Sequence, residues 1–172
     1  MDLDIIKDKS LAESIFLNGA LTGDRNSNNY TSKEFVQSWN RWIEFFVLWD
    51  NGKLVGFSGI RDFGNYARIL DRYFIMPEYR AKGINDYQYN KLFVPALVDH
   101  CQGKVPFFSV ERITRRRSIQ KAIDSCNTVL SNENHFHLLD NMYETAPNSW
   151  QNIAIRIDHN SLNLTCTANV II

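Results

Sequence analysis

Cysteine is scarce in this chain, and its three copies, Cys101, Cys126 and Cys166, are too few and too widely spaced for a disulfide framework or a zinc site. Reduced thiols are expected, and with them a cytoplasmic location. No apolar run approaches the roughly 20 residues needed to cross a bilayer, and MDLDIIKDKS lacks the basic start and apolar centre of a signal peptide. No membrane partner is expected. Charge of one sign is also missing, since 19 Lys and Arg balance 19 Asp and Glu. A general attraction to nucleic acid is therefore not expected, and any charged site must be local. Repeats, linkers and low-complexity segments are absent as well. What remains is a chain of 172 residues, 44% hydrophobic and 13% aromatic, enough for one well-packed domain spanning residues 1–172.

Hydrophobic periodicity and turn signals give an order of elements. Leu3–Ile6 reads as a short strand, and Ser10 with Glu13 as a capping box for a helix ending near Gly23. Thr31 and Glu34 cap a second helix, whose apolar face carries Phe35, Val36, Trp39 and Trp42. The run IEFFVLW, Ile43–Trp49, is a strand, and Asn51-Gly52 is a hairpin signal joining it to Leu54–Ile60. Gly56 and Gly59 permit close approach of another group there. Ala67–Met76 is a third strand, with Ile69, Asp71, Tyr73 and Ile75 expected on one face. A helix from about Asn85 contains Pro95, which should kink or divide it near Phe93. Val105–Glu111 is a strand and Arg115–Leu130 a helix. His135–Tyr143 and Trp150–Asp158 form a final antiparallel pair about Pro147, and Leu162–Ile172, within residues 160–172, is an optional edge strand.

The most informative stretch is Tyr73–Tyr89, YFIMPEYRAKGINDYQY. A strand ends at Pro77, a polar turn carries Arg80, Lys82 and Gly83, and a helix begins near Asn85. Glycine lets backbone N–H groups approach a ligand, and the first helical turn leaves orphan donors facing the same point, as anion binding requires. The stretch resembles the acyl-CoA signature of the GNAT superfamily of N-acyltransferases, in which Arg or Gln, two residues, Gly, one residue, and Gly or Ala cradle a pyrophosphate. Arg80 and Gly83 match, and Asn85 departs. The order of elements, β-α-α-β-β-β-α-β-α-β-β, is also similar to that family. The resemblance implies an α/β (α+β) fold, with a mixed, mostly antiparallel central sheet of six to seven strands and about four flanking helices.

By the same resemblance, Phe74, Ile75 and Met76 pair through their backbone with the pantetheine arm of acetyl-CoA. Arg80, Ala81, Lys82, Gly83, Ile84 and Asn85 hold its pyrophosphate. The implied reaction is transfer of the acetyl group to a primary amine by direct attack. The alternative is a GNAT-fold binding or regulatory module without catalysis, since Asn85 and Gln88 can cap the helix unaided. The family's usual acid, a tyrosine, is missing from RRRSIQKAIDSCNTVL, where Ser125 and Cys126 lie nearest the expected place. Asp71 and Glu111 are the candidate bases, although Asp71 could equally pair with Arg61, Arg68 or Arg72. Tyr143 and His137 are weaker candidates. His135 and His137 lack a third ligand at diagnostic spacing, so no metal is expected. Arg115–Arg117 reads as a solvated helix start or a second anion site. The oligomeric expectation includes a homodimer.

Overall fold

The computed structural model describes residues 1–22, 27–80, 86–111, 116–138, 143–146 and 149–156. Strands β1 (Asp2–Ile5), β2 (Trp42–Asp50), β3 (Lys53–Phe63) and β4 (Tyr66–Ile75) form an antiparallel meander. β5 (Val105–Glu111) then joins β4 in parallel. β8 (Ser149–Arg156) runs antiparallel to β5 and carries both β6 (Phe136–Leu138) and β7 (Tyr143–Ala146). The spatial order is β1-β2-β3-β4-β5-β8-β6, with β7 also on β8. Among the described strands only the β4–β5 junction is parallel, and its connection is helical, as a parallel crossover requires.

The fold class is as the sequence implied, with eight strands among the described residues. The segment expected as one strand, His135–Tyr143, holds β6 and the start of β7. Asn127 helps to fix β6, because its side-chain amide donates to the Phe136 carbonyl at 2.9 Å and accepts from the Phe136 N–H at 2.8 Å. This bonding satisfies a strand end as a neighbouring backbone would. The hairpin turn expected about Pro147 lies between β7 and β8, and residues 147–148 and 157–172 fall outside the described residues. The edge strand expected at Leu162–Ile172 falls there too.

Among the described residues, two helices pack on each side of the sheet. On one face lie α1 (Lys9–Leu21) and α2 (Ser32–Trp39), where Phe16 and Phe35 meet Phe45, Val47, Phe57 and Phe74 from the strands. On the other face, α4 (Asp86–Asp99) and α5 (Arg116–Asn127) bring Phe93, Leu97 and Ile123 to Phe46, Leu48, Ile60, Ile69 and Ile75. A fifth helix, α3 (Pro77–Arg80), is a single turn leaving β4, where the sequence suggested only a polar turn. The proline at its start has the fixed φ and missing N–H that a first helical residue tolerates.

Three boundaries differ from expectation for local reasons. Asp8, not Ser10, caps α1, accepting from the Leu11 N–H at 2.6 Å. Helix α2 keeps its Thr31 cap but ends at Trp39, and Trp42 opens β2. Pro95 removes a bond from α4 without dividing it. The Asn51-Gly52 hairpin is as expected, with both residues at positive φ, 48° and 77°.

Candidate active site

Strand β4 organises the site because it leaves its neighbour. Its pairing with β5 is confined to Tyr66, Ala67 and Arg68, opposite Val105, Pro106 and Phe107. From Ile69 to Ile75 the strand stays attached to β3 while β5 turns to β8. A cleft therefore opens between two strands of one sheet, and among the described residues no strand pairs with the β5-facing edge of β4 beyond Arg68.

Unpaired strand edges need donors and acceptors from elsewhere. The Met76 N–H bonds to Val55 of β3, so alternation turns the carbonyls of Tyr73 and Ile75 to the opposite edge. Both are met by side chains. Tyr30 donates its hydroxyl to the Tyr73 carbonyl at 3.2 Å, and Arg80 donates Nε to the Ile75 carbonyl at 2.6 Å. The Arg80 guanidinium also lies 4.9 Å from the centre of the Phe74 ring. Of the residues expected to meet the pantetheine arm, Phe74 and Ile75 thus end the strand that borders the cleft and Met76 follows it. Ala81, Lys82, Gly83, Ile84 and Asn85 lie outside the described residues. The backbone on either side of them is in place: α3 ends at Arg80 and α4 begins at Asp86, with its N-terminus following the motif.

Asp71 is placed differently from the simple alternation expected for the strand. Leu70 and Arg72, on either side of it, have positive φ of 54° and 53°, and the β3 register slips at two points, after Phe57 and after Gly59. Each slip inserts an extra residue, a bulge that re-aims the side chains around it. As a result Ile69, Tyr73 and Ile75 serve the α4 face, whereas Asp71 points to the α2 face with Phe74. Left-handed conformations at non-glycine residues cost on the order of 1–3 kcal/mol each. The surrounding packing must hold them.

That packing is a charged cluster tied to the aromatic layer through Trp42. Asp71 is only 1% exposed. Its Oδ2 accepts from Trp42 Nε1 at 2.8 Å and from Arg61 Nη2 at 2.9 Å, while Arg68 Nε stands 3.6 Å from Oδ1. The indole reaches it through Gly59, where an added Cβ would lie 2.4 Å from the Trp42 ring. Of the carboxylate partners expected, Arg61 and Arg68 are found, and Arg72 instead pairs with Glu34 of α2 at 2.6 Å. Trp42 was not foreseen as a partner, although Gly59 was the local signal for close approach.

The other candidates are less defined. Glu111 ends β5 opposite Gln151 of β8, at the far end of the strand from the β4 junction. His137 is exposed on β6, and Tyr143 begins β7. His135 Nε2 lies 3.3 Å from the Leu130 carbonyl. Cys126 is buried under α5, and burial pushes its thiol up to about 11, so it is poorly suited to exchange protons near neutrality. Among the described residues no group of three His, Cys, Asp or Glu could hold a metal, and no helix is long and apolar enough to cross a membrane.

Comparison with known proteins agrees with this architecture. Residues 18–93 match the model of the acetyltransferase (GNAT) family. A putative GNAT-family acetyltransferase from Bacteroides thetaiotaomicron superposes with a TM-score of 0.62 at 13% identity, covering 98% of this chain and 93% of its own. A spermidine N-acetyltransferase mutant from Vibrio cholerae gives 0.60 at 14% identity, covering 96% and 99%. A putative acetyltransferase from Salmonella typhimurium, solved with its cofactor acetyl-CoA, gives 0.54 at 15%, covering 92% and 96%. At these identities the structures share a fold. No curated protein matches the chain in sequence.

Proposed function

We propose that this chain, a GNAT-superfamily protein by its fold and by the family match over residues 18–93, transfers an acetyl group from acetyl-CoA to a primary amine by direct attack. The observation that carries the proposal is the parting of β4 from β5 after Arg68. It leaves an extended backbone edge, ending at Phe74, Ile75 and Met76, on which an amide-bearing arm can pair as an added strand would. Acetyl-CoA, when bound, supplies the activated thioester. The chain supplies orientation and charge: Arg80, Lys82 and the backbone about Gly83 are proposed to hold the pyrophosphate at the start of α4.

Proton transfer remains with the proposed bases Asp71 and Glu111. The oxygen of Asp71 that meets Trp42 and Arg61 is committed to them, so its proposed part in removing a proton needs those bonds to loosen. One observation favours the second reading, a binding or regulatory module. Helix α5 offers no tyrosine, and its Cys126 is buried. The buried thiols of Cys101 and Cys126 fit a reducing compartment, consistent with a cytoplasmic location.

Thermal unfolding with and without acetyl-CoA tests the binding half. A ligand at about 100 times its Kd should stabilise the fold by roughly 2.7 kcal/mol, and Gly83→Asp should abolish the shift. No shift at millimolar acetyl-CoA rejects both the cleft assignment and the reaction. A shift without CoA release for any amine leaves the non-catalytic module.

A further inference from the structure

A cavity of about 400 Å³ opens on the α2 face of β4, lined by Gln37, Ser38, Asn40, Arg41, Arg61 and Arg72. Its volume suits a small molecule, and its walls are polar. It adjoins the bulged part of β4, where the strand has already left β5.

Two features distinguish it from an ordinary solvated groove. The first is charge. Of the three arginines that line the cavity, Arg61 pairs with Asp71 and Arg72 with Glu34. Three lining cations meet two carboxylates, so one positive charge, that of Arg41, is left over. Arg41, exposed at the mouth, has no ion pair among the described residues. The second is an unanswered polar group. Ser38 is 2% exposed, and its hydroxyl, in the cavity wall, has no hydrogen-bond partner. Arg72 Nε is likewise buried without one, although its Nη2 holds Glu34. Buried polar atoms normally find partners, so a site with two left open and a surplus of arginine is arranged for an acceptor.

We propose that this cavity is an oxyanion subsite, and that the acceptor amine carries a carboxylate or phosphate that sits between Ser38 Oγ, Arg41 and the open Arg72 Nε. Calling it an acceptor subsite rests on the acetyl-transfer reading. Its affinity for an oxyanion does not. Polyamines, which carry only positive charge, are disfavoured at this cavity by the same surplus.

Isothermal titration calorimetry of the whole chain tests this with matched amines. δ-Aminovalerate should bind more tightly than its neutral primary amide by about 10- to 100-fold, the scale of one hydrogen bond to a charged group. Cadaverine should bind more weakly than either. Phosphoethanolamine in the same assay identifies which oxyanion is preferred. Arg41→Ala, a surface change, should erase most of the acid-over-amide preference, and Ser38→Ala should reduce it. Equal affinity for acid and amide, or a preference unchanged in both variants, overturns the proposal. Stabilisation by acetyl-CoA without an acid preference removes the subsite and leaves the transfer reading standing. An acid preference without stabilisation by acetyl-CoA keeps the subsite and removes the transfer reading.

Discussion

On the α4 face of the sheet, Leu48, Ile60, Ile69 and Leu97 interlock with aromatic residues, and none of the described buried side chains there is charged. On the α2 face, Phe16, Phe35 and Phe45 pack on Trp42, whose indole reaches the one buried charged side chain of the described residues, Asp71. The two layers serve different ends. The α4 layer needs only volume, which many apolar residues supply. The α2 layer must also hold β4 in two bulges and keep four arginines near one edge, which demands particular partners. In such surroundings a satisfied ion pair is held firmly and an unsatisfied one is costly.

Substitutions in each layer should separate these roles. Asp71→Ala strands Arg61 and Trp42, and it should lower stability in urea unfolding by about 3–5 kcal/mol while disturbing the bulges. If the loss is under about 1 kcal/mol, the cluster does not hold β4. Leu97→Ala, on the opposite layer, should cost about 2–5 kcal/mol. It should leave the acid-over-amide preference intact; loss of that preference would mean that the two layers are not separable. Gly59→Ala pushes on the Trp42 indole and should cost about 1–3 kcal/mol with a change in tryptophan fluorescence. An unchanged spectrum would show that the indole has room to spare.

The smallest effect concerns pH. Burial raises the Cys126 thiol from 9.0 to about 11. Between those values the unfolded chain releases this proton while the folded chain keeps it, so stability contributed by the neutral thiol is full below pH 9 and lost as pH rises toward 11. Cys126→Ala should flatten that part of the stability curve. Identical curves would place the alkaline loss elsewhere.

Much of this was legible in the sequence because it depends on short-range chemistry. The Thr31 cap, the Asn51-Gly52 hairpin and the strand-turn-helix order from Tyr73 to Tyr89 are set by residues within a few positions of one another. The Asp71 environment was only partly legible. Its arginine partners were among the expected alternatives, but strict alternation put it on the wrong face, because bulges at Leu70 and Arg72 leave no mark in hydrophobic periodicity. The oxyanion cavity was not legible at all. Ser38 and Arg41 look like ordinary residues at a helix end, and only the tertiary approach of α2 to β3 and β4 brings them beside Arg61 and Arg72.

The edge of β4 is where the functional reading is most exposed. Amide hydrogen exchange at Tyr73 and Ile75, measured with and without acetyl-CoA, reports directly on whether that edge accepts an added chain. Slowing of exchange by about 10-fold or more at these amides, with little change at residues of β1 and β2, is expected if the cofactor arm completes the strand. Unchanged exchange at saturating acetyl-CoA would contradict it.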